Sequence, residues 1–115
     1  MLIIFGKKLA ESKKVRFGLT EVFGIGLPTA NTLCNLLNIP PTINISELTE
    51  TQKINISTYI KNTLCVETKL KQDIYENVET LKTINCVKGF RHRSKLPVRG
   101  QRTHSNAKTC KRVSI

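Results

Sequence analysis

At 115 residues, with 39% hydrophobic residues, 5% aromatics and no Trp, the chain has material for one small core. Nineteen Lys and Arg against eight Asp and Glu leave a net charge of +11, which calls for a polyanionic partner. The apolar run at 2–5 is far too short to cross a bilayer, and a wholly disordered chain would hold fewer apolar residues, so the composition fits a globular head joined to a basic arm, with no membrane partner.

Residues 2–11 read as a short irregular or extended lead-in. Val15, Leu19, Val22 and Phe23 then recur at helical spacing and predict a short amphipathic helix over 14–23. Gly24-Ile25-Gly26 ends it, the two glycines permitting positive φ and Ile25 anchoring inward. Pro28 suits the first turn of a second helix that carries Ala30, Leu33, Cys34, Leu36 and Leu37; Asn38 is a left-handed cap, and Pro40-Pro41 prevents continuation. Backbone N–H groups of such a hairpin converge on a place that suits a phosphate, although a Gly-rich turn between helices is more often only a turn. A nucleotide-cofactor loop is disfavoured, because Thr29 stands where the third Gly of GxGxxG belongs and no strand is predicted before it.

Residues 43–48 alternate apolar and polar and predict an extended segment. Thr49-Glu50-Thr51-Gln52 matches a capping box and starts a third helix with Ile56, Tyr59, Ile60 and Leu64 inward. A longer helix over 69–84 carries a stripe of Leu70, Ile74, Val78, Leu81 and Ile84, which is assigned to the core, and Asn85 caps it.

After Asn85 the chain holds nine Lys and Arg and no Asp or Glu. Within it, GFRHRSKLPVRGQRTHSNAK (89–108) sets Arg91, Arg93, Lys95, Arg99, Arg102 and Lys108 among Gly, Pro, Ser, Thr, Asn and Gln. Only Phe90, Leu96, Val98 and Ala107 are there to bury, so the segment needs a partner, and nucleic acid is the densest polyanion in a cell. Arg grips phosphate through a planar fork and Lys supplies a point charge; Gly89 and Gly100 allow close approach, and Pro97 stiffens the path. Readout by phosphate position and shape is expected, with little base-edge recognition.

No catalytic residues are expected. Glu76 and Glu79 share a helical face but sit on its polar side, and neither His92 nor His104 has an acid nearby in sequence. The four cysteines are read as reduced thiols, with Cys34 and Cys65 in the core. A zinc site from Cys86, His92, His104 and Cys110 would have Cys-x5-His and His-x5-Cys spacing without a tight Cys-x2-Cys knuckle, so neither metal nor cofactor is expected.

The run at 89–108 resembles the signature of the small-subunit ribosomal protein thirteen family, of bacterial and organellar type. LTEVFGIG resembles that family's helix-hairpin motif, NISELTETQ its middle segment, and TKLKQDIYENVETLKTINCVKG its long helix and exit. The resemblance implies an all-α fold: an N-terminal helical domain (1–66) with a helix-two-turn-helix element at 14–37, a long helix (67–85) and an extended basic arm (86–115). It implies ribosomal-RNA contacts by Gly24 and Gly26 of the hairpin and by Lys88, Arg91, His92, Arg93, Lys95, Arg99, Gln101, Arg102 and Asn106 of the arm. It further implies as partners small-subunit ribosomal RNA, the neighbouring head protein nineteen, large-subunit bridge components and peptidyl-site transfer RNA.

Two departures bear on this. Lys95 stands where the family usually has Gly, which adds a charge and stiffens the local turn. The chain ends in KTCKRVSI, with Cys110 at a usual Arg and no Lys- and Pro-rich extension, so Lys108, Lys111 and Arg112 are the cations that would approach transfer RNA. Abundant Ile, Asn, Thr and Lys, a start near the family's own without a presequence, and GQRTHSNA, which resembles mitochondrial members, together suggest an organelle-encoded protein of the mitochondrial ribosome. Plastid or bacterial cytoplasm are the alternatives for location. The alternative function is a helix-hairpin-helix DNA-binding or repair accessory protein.

Overall fold

The computed structural model describes residues 1–113; Ser114 and Ile115, the last two positions of the expected arm, lie outside the described residues. The fold is mostly helical, as expected, and the chain divides into two compact units, Met1–Leu70 and Lys71–Ile115, with the division inside the long helix.

The lead-in of the first unit, expected to be irregular or extended, is extended and goes further than expected, into a hairpin: β1 (Leu2–Ile4) and β2 (Lys7–Leu9) pair antiparallel, Leu2 opposite Leu9 and Ile4 opposite Lys7. Phe5 and Gly6, both at positive φ, make the two-residue turn that matches the twist of a hairpin. Leu2, Ile4 and Leu9 are buried while Ile3, Lys7 and Lys8 are exposed. The alternation is that of a sheet with one wet face.

Helix α1 is shorter than predicted, Val15–Leu19, because successive turns carry the chain through Val22 to the hairpin. Val15, Leu19, Val22 and Ile25 point inward, but Phe23 is 43% exposed. Gly18 lies so close to Ile45 that a Cβ would collide with that side chain. Helix α2 (Leu27–Leu36) starts at Gly26 with Pro28 in its first turn and ends as expected. Asn38 takes φ +53°, its N–H bonds the Asn35 carbonyl, and the N–H of buried Ile39 bonds the Cys34 carbonyl at 2.9 Å. This is a two-bond left-handed cap with an apolar residue after it.

The segment expected to be extended instead makes a 3-10 turn at Ile45–Glu47, which drives Ile45 and Leu48 into the core. Backbone bonds from Val15 N–H to the Ile43 carbonyl and from Ile45 N–H to the Lys13 carbonyl fix it beside α1. Helix α3 (Glu50–Thr63) begins on the predicted capping box: Gln52 N–H donates to the Thr49 hydroxyl at 3.3 Å, and Thr49 N–H to Gln52 Oε1 at 3.0 Å. Ile56 and Ile60 complete the core, with Tyr59 and Leu64 partly buried.

Helix α4 (Glu67–Ile84) begins in the first unit and runs into the second. Glu67 closes the first unit across 44 residues: its N–H donates to the Phe23 carbonyl at 2.9 Å, and its carboxylate accepts the Phe23 N–H at 2.8 Å. The stripe assigned to the core is a second correction. No residue of α4 is buried; Ile74 and Ile84 are exposed, and Leu70, Val78 and Leu81 are only partly covered. The heptad-like spacing reported an amphipathic helix correctly, but spacing does not say what covers the apolar side.

The second unit continues through α5 (Val87–Arg93) and α6 (Lys108–Arg112). Between them, the linking segment at 94–107 has no helix or strand, but it is not uniformly extended as expected: the backbone turns left-handed at Lys95, Gly100, Ser105 and Ala107.

Candidate nucleic-acid interface

The local chemistry of 85–97 explains how the basic residues are held. Asn85 follows α4 as the expected cap and does so left-handed, with φ +60°. Cys86 then serves as the N-cap of α5: its sulfur accepts the Gly89 N–H at 3.3 Å, and its thiol donates to the Leu81 carbonyl at 3.4 Å. That places α5 against the last turn of α4. A Cβ on Gly89 would collide with the backbone of Leu81 and Lys82, so the glycine expected to admit a foreign backbone admits the chain's own.

Helix α5 ends in the same two-bond cap as α2. Lys95 N–H bonds the His92 carbonyl at 3.2 Å and Leu96 N–H bonds the Arg91 carbonyl at 2.9 Å, with Lys95 at φ +53°. This is the position where glycine has no Cβ penalty, and here a lysine occupies it. The turn survives the substitution.

Arg91 and Arg93 each spend donors on the fold. Arg91 Nε donates to the Pro97 carbonyl at 2.6 Å, and Arg93 donates to the Lys82 carbonyl and to Asn85 Oδ1, the latter at 2.8 Å. The arginine pair thereby pins α5 to the end of α4 and to the start of the linking segment. Farther on, the Arg99 N–H donates to Gln101 Oε1 at 3.0 Å, which orients the Gln101 amide, and Gly100 takes φ +75° with open space where a Cβ would be.

Between α5, the linking segment and α6 lies a groove of about 620 Å³. His92, Arg93, Lys95, Arg99, Gln101, Arg102, Asn106 and Lys108 line it, together with Lys82. The remaining expected arm residues, Lys88, Arg91, Lys111 and Arg112, stand outside that lining, and Gly24 and Gly26 belong to the first unit. Of the two glycines only Gly24 needs its identity: φ is +104° there, and a Cβ would lie 2.8 Å from Leu70 Cδ2, whereas Gly26 is at φ −94° with room to spare.

Sequence reasoning missed the apolar part of this groove. Leu96, Pro97, Val98, Ala107, Cys110 and Val113 line it too, and Pro97 is buried. The signal was present as the apolar triplet inside the charge run. The electrostatics are one-sided: among the described residues Lys88, Lys95, Arg99, Arg102, Lys108, Lys111 and Arg112 make no ion pair, and the last acidic residue, Glu79, is bonded to Lys82 at 2.8 Å. Close cations without counter-charges raise each other's energy, and an anionic partner relieves this. Among the described residues no three His, Cys, Asp or Glu side chains gather in a metal-ligating group, and Cys86 is occupied as a cap. Burial pushes the Cys34 thiol above its ordinary pKa, so it stays protonated in the core.

The model of the family described as Ribosomal protein S13/S18 matches residues 3–109. Among curated proteins, the chain is similar to the small ribosomal subunit protein uS13m of Marchantia polymorpha, with 41% identity over 113 residues covering 98% of this chain and 94% of the relative. It is also similar to the small ribosomal subunit protein uS13 of Wolbachia sp. subsp. Brugia malayi (strain TRS), at 40% over 111 residues, 96% of this chain and 91% of the relative. The uS13 of Wolbachia pipientis wMel matches at the same identity and coverage.

Proposed function

The chain belongs to the ribosomal protein S13/S18 family, whose role is structural and not enzymatic, and from that premise we propose that its basic arm binds ribosomal RNA in the head of the small subunit. Membership gives the protein a structural place in the small ribosomal subunit, and hence in translation. The observation that carries the RNA reading is the run of nine cations after Asn85 with no acidic residue among them, held on α5, the linking segment and α6. Neutralising phosphates releases condensed counterions, so each Lys or Arg contact adds to affinity and to its salt dependence.

In this reading residues 1–66 anchor the protein, 67–85 form the long helix, and 86–115 bind RNA. Gly24 and Gly26 bring the hairpin backbone to a phosphate, while Lys95, Arg99, Arg102 and Lys108 present charge along the groove. Arg91 and Arg93 keep donors for RNA beyond those spent on Pro97, Lys82 and Asn85, since a guanidinium has five N–H groups. Lys111 and Arg112 on α6 face peptidyl-site transfer RNA, and head protein nineteen and the large-subunit bridge are the protein neighbours. The compartment in this reading is the mitochondrion, supported by the Marchantia relative and by the Ile-, Asn-, Thr- and Lys-rich composition.

Co-sedimentation tests the reading. The protein should travel with small subunits and be released by ribonuclease but not by deoxyribonuclease; release by deoxyribonuclease alone would favour the DNA-binding alternative. Organelle fractionation should place it with mitochondrial ribosomes, and recovery from plastid or cytoplasmic ribosomes alone would correct the compartment.

A further inference from the structure

The groove of the second unit has two chemistries, and phosphate contact accounts for only one. Arg99, Arg102 and Lys108 supply the charge, but Leu96, Pro97 and Val98 supply an apolar wall that gains nothing from a phosphate. A partner that fills both joins an anionic group to an apolar face. At about 620 Å³ the space lies within the roughly 300–1,000 Å³ of sites that enclose small organic groups. A paired base in an RNA helix is stacked and cannot enter such a space, so the occupant has to be unpaired.

Resting on the reading that the arm binds RNA, we propose that this groove takes one unpaired nucleotide, its base against Leu96, Pro97 and Val98 and its phosphate at Arg99, Arg102 and Lys108. Gln101 adds a polar preference. Its Oε1 already accepts the Arg99 N–H, so its amide NH₂ is left to donate to a carbonyl oxygen on the base edge. The arm thus adds a base contact to the phosphate and shape readout expected of its charges.

The test compares two probes on the full chain: a single-stranded oligoribonucleotide and an abasic chain of the same length and charge. The intact probe should bind about fivefold tighter or more, on the order of what burying one base face against an aliphatic wall contributes. Val98→Ser, which removes apolar wall without changing charge, should erase most of that preference and leave the salt slope of both probes as it was. Circular dichroism of the variant should match the parent. Equal binding of the two probes overturns the nucleotide groove while a steep salt slope still upholds RNA binding by the arm. A preference that survives Val98→Ser places base contact elsewhere and also overturns it. Binding of neither probe at low salt overturns the RNA reading itself. An alternating Glu-Leu peptide that displaces the intact probe better than the abasic chain does would assign the groove to a protein segment and overturn the nucleotide.

Discussion

Residues 1–70 bury Leu9, Leu19, Leu33, Ile45, Ile56 and Ile60 almost completely, whereas the described part of the second unit buries Gly89 and Pro97 and no large aliphatic side chain. The first unit is held as most small domains are, by removing apolar area from water around a single cluster. The second is held by directional bonds at helix ends: the Cys86 cap, the left-handed Lys95 turn, and the Arg91 and Arg93 bonds to Pro97, Lys82 and Asn85. Such bonds fix local geometry but contribute only about 1 kcal/mol each when water competes for the same groups. In the proposed reading, such a unit has its local geometry set by its own sequence and the rest of its stability supplied by RNA.

This contrast can be broken by mutation. The largest effect is expected from Ile56→Ala, which removes a fully buried side chain of the first unit and should cost about 2–5 kcal/mol in chemical denaturation while leaving the salt slope of RNA binding intact. A loss below about 1 kcal/mol would mean that the cluster is not the source of stability. Glu67→Ala removes the carboxylate that accepts the Phe23 N–H, a charge-assisted bond worth about 1.5–3 kcal/mol, and thermal unfolding should report a loss of that order.

Removing a cation from the groove should move binding more than stability. Arg102→Ala should lower the slope of log affinity against log salt by about 0.7–0.9 in a filter-binding titration, with stability unchanged within about 0.5 kcal/mol. An unchanged slope would count against a phosphate contact at that residue. Lys95→Gly should stabilise the protein by about 1 kcal/mol or less, because relief of the left-handed backbone is partly offset by a more flexible unfolded chain. The smallest change is expected from Ile74→Ala: Ile74 is exposed on α4, so denaturation of the isolated protein should shift by less than about 0.5 kcal/mol.

What was legible in the sequence is what local chemistry determines. The capping box at Thr49 and Gln52, the left-handed cap at Asn38 and the cap at Asn85 could be read because each is satisfied within a few residues of itself. The hairpin at 2–9 could not, since its turn places Phe5 at positive φ where Asn or Gly would have announced it. The α4 stripe had the right period, but burial depends on a facing surface that the period does not encode. For the candidate site, the charge run and the expected Arg, Lys, Gln and Asn residues could be read directly, and many of them line one groove. The apolar wall and the inward use of Arg91 and Arg93 could not, because both depend on α5 folding back onto the end of α4 through a thiol cap and a glycine contact.

Whether the arm between α5 and α6 takes its stability from RNA while the first unit supplies its own is decided by hydrogen exchange on the full chain with and without small-subunit ribosomal RNA. Backbone amides over 100–107, beyond the bonded N–H groups of Lys95, Leu96 and Arg99, should exchange within seconds in the free protein and slow markedly when RNA is added, with those of α3 protected equally in both. Strong protection of 100–107 in the free protein, or no change there on adding RNA that binds, would contradict that dependence on RNA.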